Sequence, residues 1–257
     1  MTTERRVVGF DIGIRTLSYA IFKYTPKPEL PVDNQPWDTL ELEQWGVVDV
    51  PRECGSRVRN SKTIPMHKMR SMVVEVLRRR MEAWDGVTDV VVENQMGAHA
   101  TRMTVIQHVV VTFFQLAVQP HQPHIPITLV SQAAVHKLSC RMDSSGLFRG
   151  LPHVFLNSTY KQRKAESIRM CTLILRTCTL QSGDGVSALL GELKKADDLA
   201  DAFMHGLYYV QQMNKINKRK RRRLKPGPAS IQRTTNTNVN AKTKTRTKTK
   251  TKTKTKT

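Results

Sequence analysis

Apolar, β-branched residues crowd into three early stretches, Arg6 to Ile12, Leu17 to Tyr24 and, with looser alternation, Leu40 to Val50. The connections between them are too short for helical crossovers, so they predict a three-stranded antiparallel meander, with the Pro- and polar-rich residues Val32 to Asp38 as loop. The period then changes. Between Pro65 and Trp84, the residues Met69, Met72, Val73, Val76, Leu77, Met81 and Trp84 recur at helical spacing, with Lys68, Arg70, Arg78 and Arg79 around the remaining face. After Asp85-Gly86, the run Val87 to Glu93 is almost wholly apolar, the pattern of a strand covered on both faces. A helix from about Thr101 to Gln119 and a strand near Ile125 to Val130 follow. Ser131 is placed to cap a short helix reaching Ser139, Gln181 to Gly191 reads as loop, and Tyr160 to Thr179 and Lys195 to Asn217 read as the last two helices. The fold class is α/β, with a mixed central sheet of three antiparallel plus two parallel strands flanked by helices.

Charge divides the chain in two. The formal net charge is +21, yet from Lys215 to Thr257 there are 17 Lys or Arg and no acidic residue, which leaves 25 basic against 21 acidic groups in the preceding 214 residues. Lys218 to Arg223 is an unbroken basic run, Pro226-Gly227-Pro228 a turn, and Lys and Thr nearly alternate from Lys242 onward. Such a segment has nothing to bury, so residues 1–214 are expected to form one domain and 215–257 a disordered arm for polyanions or nuclear import, or a merely solubilising tail. No apolar run approaches the roughly 20 residues that span a bilayer. Met1 to Arg6 has neither a secretory h-region nor the acid-poor length of a transit peptide, so an intracellular setting is expected. Cys54, Cys140, Cys171 and Cys178 lack any paired metal-knuckle spacing and are expected to be packing thiols.

The acidic residues carry the chemistry. In the first strand Val7, Gly9 and Asp11 share one face and Val8, Phe10 and Ile12 the other, so Asp11 projects away from the main apolar row, and Gly13 allows the chain to turn tightly after it. Glu93 is the first polar side chain at the carboxyl end of the buried run, where open α/β sheets place ligands. Asp198 and Asp201 stand i, i+3 on one helical face near a helix start, with Asp197 pointing elsewhere as a candidate cap. Simple helix stabilisation accounts for the last pair equally well on its own. Four carboxylates at one point repel each other and resist burial unless cations neutralise them, and two hard divalent ions would do so.

Gly9-Phe10-Asp11-Ile12-Gly13-Ile14-Arg15, Val90-Val91-Val92-Glu93-Asn94-Gln95 and Lys195-Ala196-Asp197-Asp198-Leu199-Ala200-Asp201-Ala202 occur in that order. Together they resemble the motifs of RuvC-type Holliday junction resolvases of the ribonuclease H-like superfamily, and most closely the branch of poxvirus, iridovirus and fungal mitochondrial enzymes. Tyr160-Lys161-Gln162-Arg163-Lys164 is similar to that family's basic helix. The resemblance spans about Arg6 to Tyr209. It implies a ribonuclease H-like fold, a homodimer acting on four-way DNA junctions by paired symmetric nicks, and an acidic tetrad of Asp11, Glu93, Asp198 and Asp201. That tetrad would bind two Mg²⁺ per site, with Mn²⁺ able to substitute. Lys164, or alternatively Lys137, is the expected cation near the scissile phosphate, and Arg15, Lys161 and Arg163 would position the DNA backbone. If the relationship is to the viral enzymes, the setting would be an infected cell's nucleus or cytoplasmic replication site. The chain has Glu93-Asn94-Gln95 where the family often has Glu-Gln-Gln.

Other residues weigh less. His121 and His124 lie in a Pro-rich stretch and read as surface groups; His205, i+4 from Asp201, reads first as a packed histidine and second as a substrate contact. Met103, Ile106, Val110 and Phe113 predict core or a dimer interface. No nucleotide-binding Gly-rich loop with Lys is present, and no nucleotide cofactor or membrane partner is expected. Three rivals stay open: a ribonuclease H-like nuclease for hybrids or flaps, a noncatalytic basic DNA-binding protein, and a sugar-kinase-like ATPase suggested by the Asp11 to Arg15 turn.

Overall fold

Alternation along β1 (Arg5–Ile12) decides the layering. Val8, Phe10 and Ile12 enter one buried cluster while Val7 enters another, so the sheet carries a core on each side. A computed structural model describes residues 4–25, 40–95, 100–118, 125–131, 159–177 and 196–224. β2 (Thr16–Tyr24) and β3 (Leu40–Asp49) extend β1 as the expected antiparallel meander. β4 (Asp89–Glu93) pairs parallel to the other edge of β1, and β5 (Ile127–Val130) parallel to β4, giving the order β3-β2-β1-β4-β5. Val90, Val91 and Val92 are fully buried, which is why β4 reads as a continuous apolar run rather than an alternating one.

One face is covered by α2 (Met66–Arg79) and α3 (Thr101–Phe113). The helix expected from Pro65 to Trp84 breaks at Arg80, whose guanidinium reaches back to Glu53, and continues as a 3₁₀ turn, Met81–Trp84. Trp84 is buried there and its indole N–H donates to the Leu77 carbonyl at 2.9 Å. Ile106, Val110 and Phe113 are buried against the sheet and Met103 packs beside them, so this stripe is core and not an exposed interface. Beyond Phe113 the helix widens into a π turn, Phe114–Val118. The sequence pattern missed α1 (Val50–Glu53), where the Asp49 carboxylate accepts from the Arg52 N–H and Pro51 occupies the first turn.

The opposite face is covered by α4 (Tyr160–Thr177) and α5 (Ala196–Leu224). Thr159 and Gln162 bond reciprocally through side chain and backbone at the start of α4, a capping box. Met170, Cys171 and Ile174 of α4 pack with Leu199, Phe203, Leu207 and Val210 of α5. Each such buried side chain stabilises the fold by about 1.5–3 kcal/mol. α5 lies almost in contact with β1 because both surfaces lack a side chain at the crossing. A Cβ on Gly9 would stand 2.4 Å from the Ala202 carbonyl oxygen, and one on Gly206 would stand 2.3 Å from the Phe22 ring. Farther along, the Tyr209 hydroxyl donates to buried Asp89, which also takes Arg5 at 2.8 Å, tying α5 to the amino ends of β1 and β4. The helical backbone of α5 continues to Leu224, past the boundary expected at Lys215 and through the basic run Lys218 to Arg223. The helix expected from Ser131 to Ser139, the loop Gln181 to Gly191, and Cys140 and Cys178 lie largely or wholly outside the described residues. Cys54 and Cys171 are free thiols.

Candidate active site

Parallel register aligns Phe10 with Val92, so the next residue along each strand, Asp11 and Glu93, emerges at the same end of the sheet. Their carboxyl groups are hydrogen bonded to each other. Burial first, then that bond and the negative charges of Glu93, Asp201 and Asp198, push the Asp11 carboxyl well above the usual carboxylate range. α5 brings the other two acids. Its first turns project Asp198 and Asp201 toward the same point, both buried, because the glycine crossing lets the helix axis approach β1. Burial also raises Asp201, opposed by a hydrogen bond from the Ser167 hydroxyl and by the nearby His205 and Lys164. The four acids predicted from sequence are therefore within range of one another's charge.

Several neighbours hold them. The Thr16 hydroxyl donates to Asp198 at 3.1 Å, at the far side of the tight turn closed by the Gly13 N–H on the Thr16 carbonyl at 2.9 Å. Gln95 donates to Glu93 and, at 3.1 Å, to the Ile12 carbonyl, while its own backbone N–H is held by buried Gln107 at 2.8 Å. Lys164 lies against Asp197 and reaches Asp198 at 3.4 Å. His205 is fully buried over the strand, behind the acids, and burial lowers its pKa despite Glu93, Asp201 and a hydrogen bond with the Phe10 backbone.

Not every expectation falls on the site. Asp197, expected as a cap, lies inside the first turn of α5, and its carboxylate is taken by Lys164. Lys161 and Arg163 sit on the first turn of α4, the former exposed and the latter half-buried. Arg15, expected against DNA, is turned inward: its guanidinium binds Asp49 at 2.8 Å and the carbonyls of Val58 and Arg59 at 3.0 and 2.6 Å. Lys137, His121 and His124 lie outside the described residues. Sequence reasoning missed Thr16, Gln95, Gln107 and Ser167. Only Gln95 carried a local signal, standing two residues after Glu93 and so on the same side of the extended chain.

Among the described residues no three His, Cys, Asp or Glu side chains already form a metal cage. The donor chemistry nonetheless suits hard divalent cations: four oxygen-bearing acids share one end of the sheet, and Asp11, raised first by burial and then by its acidic neighbours, stands where a cation would relieve their repulsion. In this arrangement the ammonium of Lys164 supplies part of that positive charge.

No protein-family profile matches the sequence, and no curated protein matches it either. Solved structures do. The yeast mitochondrial Holliday junction resolvase Ydc2 superposes with a TM-score of 0.51 at 12% identity, covering 84% of this chain and 86% of that one. The protein has the ribonuclease H-like fold of that resolvase. The fowlpox virus resolvase, solved with its Holliday junction DNA, aligns over 81% of this chain and 98% of its own at 17% identity and a TM-score of 0.48. Thermus thermophilus RuvC, also solved with a Holliday junction, covers 81% and 97% at 17% identity and a TM-score of 0.43.

Proposed function

We propose that this protein is a metal-dependent, structure-selective endodeoxyribonuclease that resolves four-way DNA junctions by paired symmetric nicks. The convergence of Asp11, Glu93, Asp198 and Asp201 at one end of the sheet carries the reading, because buried acids that also repel one another are costly unless cations neutralise them. The four acids would hold two Mg²⁺, which when bound supply an activated water and stabilise the leaving oxygen of an in-line displacement. Asp11, which interacts with Glu93 and with both α5 acids, would be the acid common to the set. Thr16, Gln95 and Ser167 fix the carboxylate orientations through the bonds described above. Lys164, already beside Asp198, would face developing charge on the phosphate. Lys161 and Arg163, on the same helix end, would then contact the adjoining backbone.

The motif resemblance to junction resolvases, together with the coverage of 86% of Ydc2, supports four-way DNA as substrate. A viral origin and an intracellular replication compartment remain part of the proposal through motif resemblance alone. The deciding experiment incubates purified protein with a labelled mobile four-way junction, with and without Mg²⁺. Symmetric nicks that ligase can reseal are expected only with the metal, and Asp11→Asn and Glu93→Gln should abolish them while sparing junction binding. Metal-independent function with no nicking would instead mark a noncatalytic binder, and preference for a hybrid duplex would mark a different nuclease of the same fold.

A further inference from the structure

The chain between α1 and α2 is a loop with one 3₁₀ turn, Ser61–Thr63, and it is pinned at several points. Arg15 holds the carbonyls of Val58 and Arg59 at 3.0 and 2.6 Å, while Arg102, near the start of α3, holds those of Ser61 and Ile64 at 3.2 and 2.6 Å. Inside the loop the Asn60 side chain accepts from the Lys62 N–H at 3.0 Å, and the Thr63 hydroxyl donates to the Asn60 carbonyl at 2.8 Å. Two cationic side chains thus hold the loop by its backbone, Ile64 is buried beneath it, and the side chains from Arg57 to Asn60 stay outside. Arg57, Arg59 and Lys62 are exposed, as is Val58 at 40%, and none of the three cations makes an ion pair among the described residues. Both anchors belong to the acidic end of the sheet. Arg15 directly precedes Thr16, which bonds Asp198, and Arg102 lies on the helix whose Gln107 positions Gln95 beside Glu93.

We infer that this loop is a preformed phosphate-binding rim, on which Arg57, Arg59 and Lys62 engage the backbone of the duplex arm leading into the acid centre. The inference rests on the nuclease reading and adds the surface that admits its substrate. Four carboxylates present a field that repels DNA, so a duplex can approach only where neighbouring cations outweigh it. The backbone that carries these cations needs no ordering on contact, because Arg15 and Arg102 have already fixed it, and only the side chains lose freedom. Three arginine and lysine contacts to phosphate give affinity and register without reading bases.

The test measures binding of a labelled four-way junction, across a range of salt and in Ca²⁺, by full-length protein carrying Asp11→Asn so that nothing is cut. Each lost phosphate contact lowers the slope of log affinity against log salt by about 0.9. Arg57→Ala with Arg59→Ala should therefore lower it by roughly 2 and weaken binding about tenfold or more at 0.1 M salt. Arg57→Lys with Arg59→Lys should restore the slope. The charge-matched pair Arg70→Ala with Arg78→Ala, on the exposed face of α2, should leave it unchanged. If the loop pair and the α2 pair share one slope, the inference is overturned while the nuclease reading stands. If the parent protein does not bind the junction at all, the nuclease reading fails and takes the inference with it.

Discussion

Asp11 shows how one side chain can serve chemistry at the expense of stability. Its folded pKa is raised by burial, by its bond to Glu93 and by the α5 acids, so the native state keeps this proton to higher pH than the unfolded chain does. Below about pH 4, where both states are protonated, the cluster costs nothing; as pH climbs toward the raised folded value, stability falls, and above that value the full penalty is present. Asn at this position keeps the shape and removes the charge. In the metal-free protein Asp11→Asn should therefore raise the melting temperature at pH 8 and do little at pH 4, each kcal/mol relieved appearing as about 2–4 °C. Mg²⁺ should stabilise the parent protein and leave the variant nearly unmoved, because a ligand stabilises only the state that binds it. Calorimetry in chelator and in Mg²⁺ at the two pH values measures all of this. A variant no more stable than its parent at pH 8 would mean that the acids do not repel each other as the geometry requires.

At the level of elements, the crossing of α5 over β1 decides whether the acids meet. Gly206→Ala would improve helix propensity by up to about 1 kcal/mol, but the new methyl would stand 2.3 Å from the Phe22 ring, and overpacking of this kind costs about 1–3 kcal/mol. Gly9→Ala is worse, since its methyl would meet the Ala202 carbonyl, which cannot rotate away. Urea unfolding should show Gly9→Ala losing more stability than Gly206→Ala, and both should nick more slowly because Asp198 and Asp201 are displaced with the helix. Equal nicking by all three proteins would show that the crossing does not set the site. The acids on either side of this crossing were legible in the sequence because strand alternation and the i, i+3 helical spacing are local periods. A glycine inside the apolar helical pattern, Gly206, was also a signal of close approach, though one that does not name its partner. The anchoring contacts of Arg15 were not legible for a physical reason: its partners include backbone carbonyls 43 and 44 residues away, and carbonyls carry no side-chain pattern. The Lys164 pair with Asp197 bridges 33 residues and was equally invisible. The β-branched run entering Val50 concealed α1, although Asp49 ahead of Val50-Pro51 is the chemistry of a helix start.

At the scale of the whole molecule, one acid centre cannot make two symmetric cuts. A four-way junction offers equivalent phosphates on opposing strands, so paired nicking requires two sites facing opposite ways, and a two-fold dimer is the simplest arrangement that supplies them. The central helical stripe once open to that role is consumed by the core, since Ile106, Val110 and Phe113 are buried against the sheet. Among the described residues, the most exposed large apolar side chains are Leu116, at 71%, on the π turn, and Leu129, at 45%, on β5. A two-fold interface that takes in both leucines would bury them and cover the side of β5 that no other described strand pairs with. Sedimentation equilibrium should accordingly give twice the 29.3 kDa chain mass, and Leu116→Glu with Leu129→Lys should shift the protein toward monomer. Folding should be little affected, because neither side chain belongs to a core cluster. The monomeric variant should still hydrolyse one strand but lose the coordination of the pair, so nicked junctions should accumulate in place of two ligatable duplexes. A protein that sediments as a monomer both free and on a junction, and yet releases paired products, would refute the dimer and require one centre to cut twice in a single encounter.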